Sequence, residues 1–176
     1  MPDVTAQLRR TSVSWYIAMP EAFADFRLPT TTEMAVTDLV FDITCAVAED
    51  GTTFNLSDSD TDDTYSFCDE SGVSRPTFYN PECTLALFRD ADRAATGVFN
   101  KALQWFMFPD IPYYIIKRVG EQDNTPGTAV AVGDRLKIQN IKTDLPQDTL
   151  ASGDPAYLTV EGLQQGRVSW NVKVDV

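Results

Sequence analysis

From Val168 to Val176 the chain alternates strictly between apolar and polar positions. Val168, Trp170, Val172, Val174 and Val176 are separated by Ser169, Asn171, Lys173 and Asp175. A period of two marks a half-buried strand, because successive side chains point to opposite faces of a sheet. With Gln164-Gln165-Gly166 as a turn, Tyr157 to Val176 predicts a terminal hairpin. The pattern recurs upstream. Leu39, Phe41, Ile43, Cys45 and Val47 occupy alternate positions, with Asp42 and Thr44 between them. Val13, Trp15 and Ile17 share one face of a strand over Ser12 to Met19. Tyr113 to Val119 is apolar on both faces at Ile115-Ile116, which predicts a buried strand. In the region Pro76 to Arg89, Pro81 limits pairing, so the firm part is Cys83 to Phe88. Val130 to Ile141 predicts another strand region, with Gly133-Asp134 as a bend.

One segment follows a different period. Ala95, Val98, Phe99, Ala102, Leu103, Trp105 and Phe106 fall largely on one helical face. Asp90 or Asp92 can cap this helix and Pro109 stops it. Strands, one helix and strands again predict a mostly β fold: an antiparallel β-sandwich or open barrel with one packed α-helix. The chain has 176 residues, which suits a single domain spanning 1–176. Within it, residues 1–11 read as an N-terminal arm and 50–75 as a long acidic loop entered by a turn at Glu49-Asp50-Gly51. The run Ser57 to Asp63 is too polar to pack in a core, although Tyr65 and Phe67 can form a short strand there. Asp144 to Asp148 reads as a polar loop.

Composition narrows the chemistry. The 26 acidic residues against 14 basic ones give a formal net charge of −12. Such a surface repels phosphate backbones and argues against a nucleic-acid binder. There is no histidine, so the commonest general base and the commonest zinc ligand are missing. The three cysteines, Cys45, Cys68 and Cys83, form no Cys-x-x-Cys pair. We expect them reduced, with Cys45 and Cys83 as small buried apolar groups. No apolar run approaches the roughly 20 residues of a spanning helix, and Met1 to Arg10 has no apolar block of a secretory signal. Neither membrane nor cofactor is expected.

The acidic run resembles a calcium loop only in part. Asp58, Asp60, Asp62 and Asp69 fit positions 1, 3, 5 and 12, but Asp63 stands where Gly is needed, and Asp69 is too short for bidentate binding. A solvated acidic segment is the expectation, and no metal. Neither phosphate loop spans the glycines, and Ser71-Gly72 is not a nucleophile elbow. Trp105-Phe106-Met107-Phe108 reads as core packing of the helix. No catalytic residues emerge.

One ordered series is more specific. Cys68-Asp69-Glu70 is followed by Arg75-Pro76-Thr77-Phe78-Tyr79-Asn80 and then Thr84-Leu85-Ala86-Leu87-Phe88-Arg89-Asp90. An amphipathic helix comes next, then Tyr113-Tyr114-Ile115-Ile116-Lys117-Arg118-Val119-Gly120. Val132-Gly133-Asp134 and Lys142-Thr143-Asp144-Leu145-Pro146 complete it. Across roughly residues 36–176 this order resembles the major tail tube proteins of long-tailed bacteriophages, especially those infecting actinobacteria.

The resemblance implies a structural virion protein and no enzyme. Six subunits would form a ring whose sheets join into a barrel, and rings would stack around a tape measure protein. Tail terminator and tail tip proteins would cap the tube, assembled in the host cytoplasm. The genome would pass through it without specific contact. Self-assembly is expected at Arg9 and Arg10 of the arm and at Asp58, Asp60, Asp62, Asp63, Tyr65 and Phe67 of the acidic segment. Rival readings are a tail terminator or another β-sandwich virion or adaptor protein, and a carbohydrate-binding module using Trp15 or Trp170. Trp170 alternates with valines, which places it in a core or at an interface.

Overall fold

The computed structural model describes residues 13–62, 75–92, 94–119, 128–149 and 157–176. Within them lie β1 Val13–Ala18, α1 Thr31–Met34, β2 Val40–Asp42, β3 Val47–Asp62, β4 Arg75–Phe88, α2 Val98–Phe106, β5 Pro112–Val119, β6 Arg135–Thr143, β7 Gln147–Thr149 and β8 Tyr157–Lys173. All strands pair antiparallel in one sheet, in the order β2-β1-β5-β6-β8-β4-β3, with β7 also on β8.

The edge strands β2 and β3 are joined by residues 43–46 alone. Seven strands laid flat at about 4.8 Å spacing would hold those edges about 29 Å apart, whereas this link reaches at most about 18 Å. The sheet must therefore curl. The link also bonds to both sides of the gap. Ile43 N donates to the Trp15 carbonyl of β1 (2.9 Å), and Phe88 N of β4 donates to the Ala46 carbonyl (2.8 Å). Thr44 extends the stitch: its Oγ1 accepts from Trp15 N at 2.9 Å.

Curling produces a concave face with its own core. Ile17, Ile43, Phe54, Leu85, Leu87, Ile115, Ile141 and Val160 pack there against Ala102 and Phe106 of α2. The helix plugs one end, and the Tyr113 hydroxyl donates to the Trp105 carbonyl at 2.8 Å. On the convex face of β1, β5 and β6, a second cluster gathers Tyr16, Tyr114, Ile116, Leu136 and Ile138 under Phe23, Phe26 and Met34. That cover is the segment between β1 and β2. It is fixed by a capping box at α1: Glu33 N donates to Thr30 Oγ1 (3.2 Å), and Thr30 N donates to the Glu33 carboxylate (2.9 Å).

Several expectations are corrected. The segment 50–75 is not a loop throughout: β3 continues to Asp62 and β4 begins at Arg75. Glu49-Asp50-Gly51 is a bulge, not a turn. The register shifts between Ala48 and Thr53, Gly51 has φ +83°, and the Thr52 hydroxyl donates to Ala48 O while accepting from Ala86 N. The strand expected from Leu39 to Val47 breaks after Asp42, whose carboxylate accepts from Thr44 N (2.8 Å). Cys45 on that turn is exposed; Cys83 is buried, as expected. The helix starts at Val98, because Asp90 and Asp92 accept from the backbone N–H of Asp92 and Ala94 and form turns instead. α1 is a second, shorter helix. Strand β6 begins at Arg135 rather than near Val130.

The terminal hairpin is also overturned. Tyr157–Lys173 is one strand, pairing with β4 and β7 near its start and with β6 further on. Its strict alternation does not keep one face. Asn171 has φ +65° and lies in a register shift between Ile138↔Ser169 and Leu136↔Val172. This bulge switches parity: Trp170 packs with the concave core and Val174 with the convex one.

Two outcomes follow. A Cβ on Gly162 would lie 2.9 Å from Ile141 Cδ1 and 3.1 Å from the Cys83 carbonyl. Gly162→Ala should cost about 1–3 kcal/mol, read as a drop in thermal midpoint. Burial pushes the Glu33 carboxyl upward, but hydrogen bonds from Ala24 and Thr30 outweigh it and hold the group below its usual 4.5. Its contribution is therefore present above that value and lost as pH falls through the lowered one. Glu33→Ala should cost about 1 kcal/mol at pH 7, and the gap to the parent should shrink in denaturant titrations at acidic pH.

Candidate assembly surfaces

The concave channel changes character along the strands. Next to α2 it is apolar. Further on, Phe54 meets Trp15 edge-on (5.3 Å, 89°) and Trp170 stacked (5.6 Å, 14°). Trp170 thus sits partly buried against the core. Buried Gln139 donates Nε2 to the Asn55 carbonyl at 3.3 Å.

Past the tryptophans, the inward-facing positions turn basic. Lys117 of β5 stands directly opposite Lys137 of β6, and Arg135 opposite Lys173. Lys117 Nζ lies 4.9 Å from the Trp15 ring centroid, and Lys137 Nζ lies 4.9 Å from that of Trp170. Each ammonium is thus set against an aromatic ring, a favourable electrostatic contact. Arg135 Nη1 donates to Asn171 Oδ1 at 3.0 Å. A cleft of about 300 Å³ opens between Val13, Lys117, Arg135, Lys137 and Asn171. A second, of about 350 Å³, runs from Lys117 past Trp15 to Thr52 and Glu49. Among the described residues, neither Lys117 nor Lys137 forms an ion pair. Burial lowers the Lys117 ammonium from its usual value, and the like charge of Lys137 lowers it further.

The opposite feature is the β3–β4 hairpin. β3 ends the sheet, paired among the described residues with β4 alone. Asp58, Asp60 and Asp62 are strand residues of β3, with Asp60 in register with Phe78 and Asp62 with Arg75. The remaining expected assembly residues, Arg9, Arg10, Asp63, Tyr65 and Phe67, lie outside the described residues, as does Cys68. Sequence reasoning missed the basic end of the channel. Its signal was parity: Lys117 follows Tyr113 and Ile115 at alternate positions, so it belongs to an apolar face rather than a solvated one.

On the convex side, Arg118 and Asp134 form an ion pair of 2.7 Å with side chains 5% and 16% exposed. Arg118 also donates to the Thr128 carbonyl (3.1 Å), and Asp134 accepts from Ala131 N (2.7 Å). The pair fixes the segment entering β6. Arg118→Leu should destabilise the protein by about 3 kcal/mol, because it strands a largely buried carboxylate; urea unfolding reads this directly. Cys83 is chemically quiet, its thiol pushed up to about 12 by burial.

A curled antiparallel sheet with a helical plug, a long edge strand and a charged channel end is a mostly β build. The sequence model of the family described as phage tail tube protein matches residues 1–175, and the chain belongs to that family. The match includes the first 35 residues, which the resemblance over 36–176 does not cover. Comparison with curated proteins gives no match. Membership makes the chain a tail tube component of the virion, in a family that is structural rather than enzymatic. No helix among the described residues is long and apolar enough to cross a membrane.

Proposed function

We propose that this chain is the major tail tube subunit of a long-tailed phage. Six copies close into a ring, and rings stack into a hollow tube that conducts DNA during ejection. Family membership over nearly the whole chain carries the reading. The fold supports it: a long edge strand such as β3 is a template for pairing with another chain, and a closed ring removes that liability. The net charge supports it too. Each copy contributes −12, and an acidic lumen repels phosphates so that DNA slides without sticking.

Assembly on this reading occurs in the host cytoplasm. A tape measure protein sets the length, and terminator and tip proteins close the ends. The acidic part of the β3–β4 hairpin, Asp58 to Asp63 with Tyr65 and Phe67, contacts a neighbouring copy, and Arg9 and Arg10 are among the basic groups it meets.

Purified protein should polymerise into tubes of uniform diameter in negative-stain electron microscopy. Rings that never stack would point to a terminator instead. Removing residues 58–70 should leave soluble subunits that no longer form tubes.

A further inference from the structure

Three of the 14 basic residues, Lys117, Arg135 and Lys137, line one cleft at the end of the concave channel in a chain of net charge −12. Like charges directly opposite across strands are destabilising, so this arrangement works against folding. The tryptophans offset part of the repulsion, since each lysine rests on a ring at 4.9 Å. They also hold both ammonium groups at fixed positions beside an open cleft of about 300 Å³. Long lysines on a solvated face would spread apart. These two are half-buried, set on rigid platforms and joined in the cleft by Arg135. The ordering cost of a binding site has thus been met before any ligand arrives.

We propose that this basic end is a seat for side-chain carboxylates from a second copy of the chain, supplied by Asp58, Asp60 and Asp62 of its β3. Charge complementarity selects the occupant. Asp58, Asp60 and Asp62 lie on the edge strand, and the seat sets Lys117 opposite Lys137. Carboxylates entering the cleft relieve the Lys117–Lys137 repulsion, so the contact gains more than an ordinary surface pair. The inference rests on the tube reading and adds to it the receiving half of the contact between copies.

The test uses the full chain and four variants. In Lys117→Gln/Lys137→Gln the charges are removed; in Lys117→Glu/Lys137→Glu they are reversed. Asp58→Lys/Asp60→Lys/Asp62→Lys reverses the donor strand, and the fourth variant combines both reversals. Circular dichroism and thermal melting first establish that each is folded. The glutamine variant should raise the critical concentration for tube formation by about tenfold. Each charge reversal alone should abolish tubes. Mixing the two single reversals, or combining them in one chain, should restore them. Restoration in the mixture places the contact between copies. Normal assembly of the folded glutamine and glutamate variants would overturn the proposal while leaving the tube reading intact. Failure of the parent chain to form tubes under any condition would instead count against that reading. Salt-dependent binding of DNA by the parent subunit, lost in the glutamate variant, would also overturn it, by assigning the seat to phosphates.

Discussion

The link at residues 43–46 governs this architecture. It ties the first and last strands of the sheet, and it is too short for a flat arrangement. Curling follows from chain length, and the concave core follows from curling. The link then adds bonds of its own, from Ile43 and Ala46 to the strands on either side and from Thr44 through its hydroxyl. Edge groups that would otherwise lie unpaired are thereby used inside the subunit. Among the described residues, β3 pairs on one side only, with β4.

The channel inside the curl is graded. α2 closes one end with Phe106 and Ala102, three aromatic side chains fill the middle, and basic groups occupy the other end. This order reconciles an acidic protein with a concentrated positive site. The tryptophans separate the charges from the aliphatic core while presenting ring faces to the ammonium groups. A lysine placed one layer deeper, beside Ile115 or Ile141, would lose that contact and sit among aliphatic side chains.

The local patterns in the sequence were read well where the backbone stays regular. β1, β4, β5 and the helical face of α2 follow the periods expected of them. So does the second half of the resemblance, which the family match extends to the N-terminal residues. The failures cluster at bulges. The register shifts by three residues at Gly51 and by one at Asn171, and an odd shift exchanges the faces of everything beyond it. A period-2 count has no means of seeing an extra residue, so it gives Trp170 and Val174 one face although they lie on two. Polarity misled in the same way at Asp58 to Asp62, because an edge strand tolerates charges that a central strand would not. Thr30 and Glu33 did carry a legible signal, the spacing of a capping box, and α1 starts there. The basic seat is a different case: it joins β1, β5, β6 and β8, and only the register brings those residues together.

Strand β8 has a mechanical consequence. It is the one backbone paired to both halves of the sheet, to β6 along one stretch and to β4 and β7 along another. A load applied to β3 and β4 reaches β5 and β6 either across β8 or through the link at residues 43–46. Pulled along its length, such a strand shares the force among many hydrogen bonds at once instead of peeling them singly. With the link, β8 therefore acts as a tie between the half that carries the long edge strand and the half that carries the charged channel end. Tension between the two halves would be carried by those two connections together.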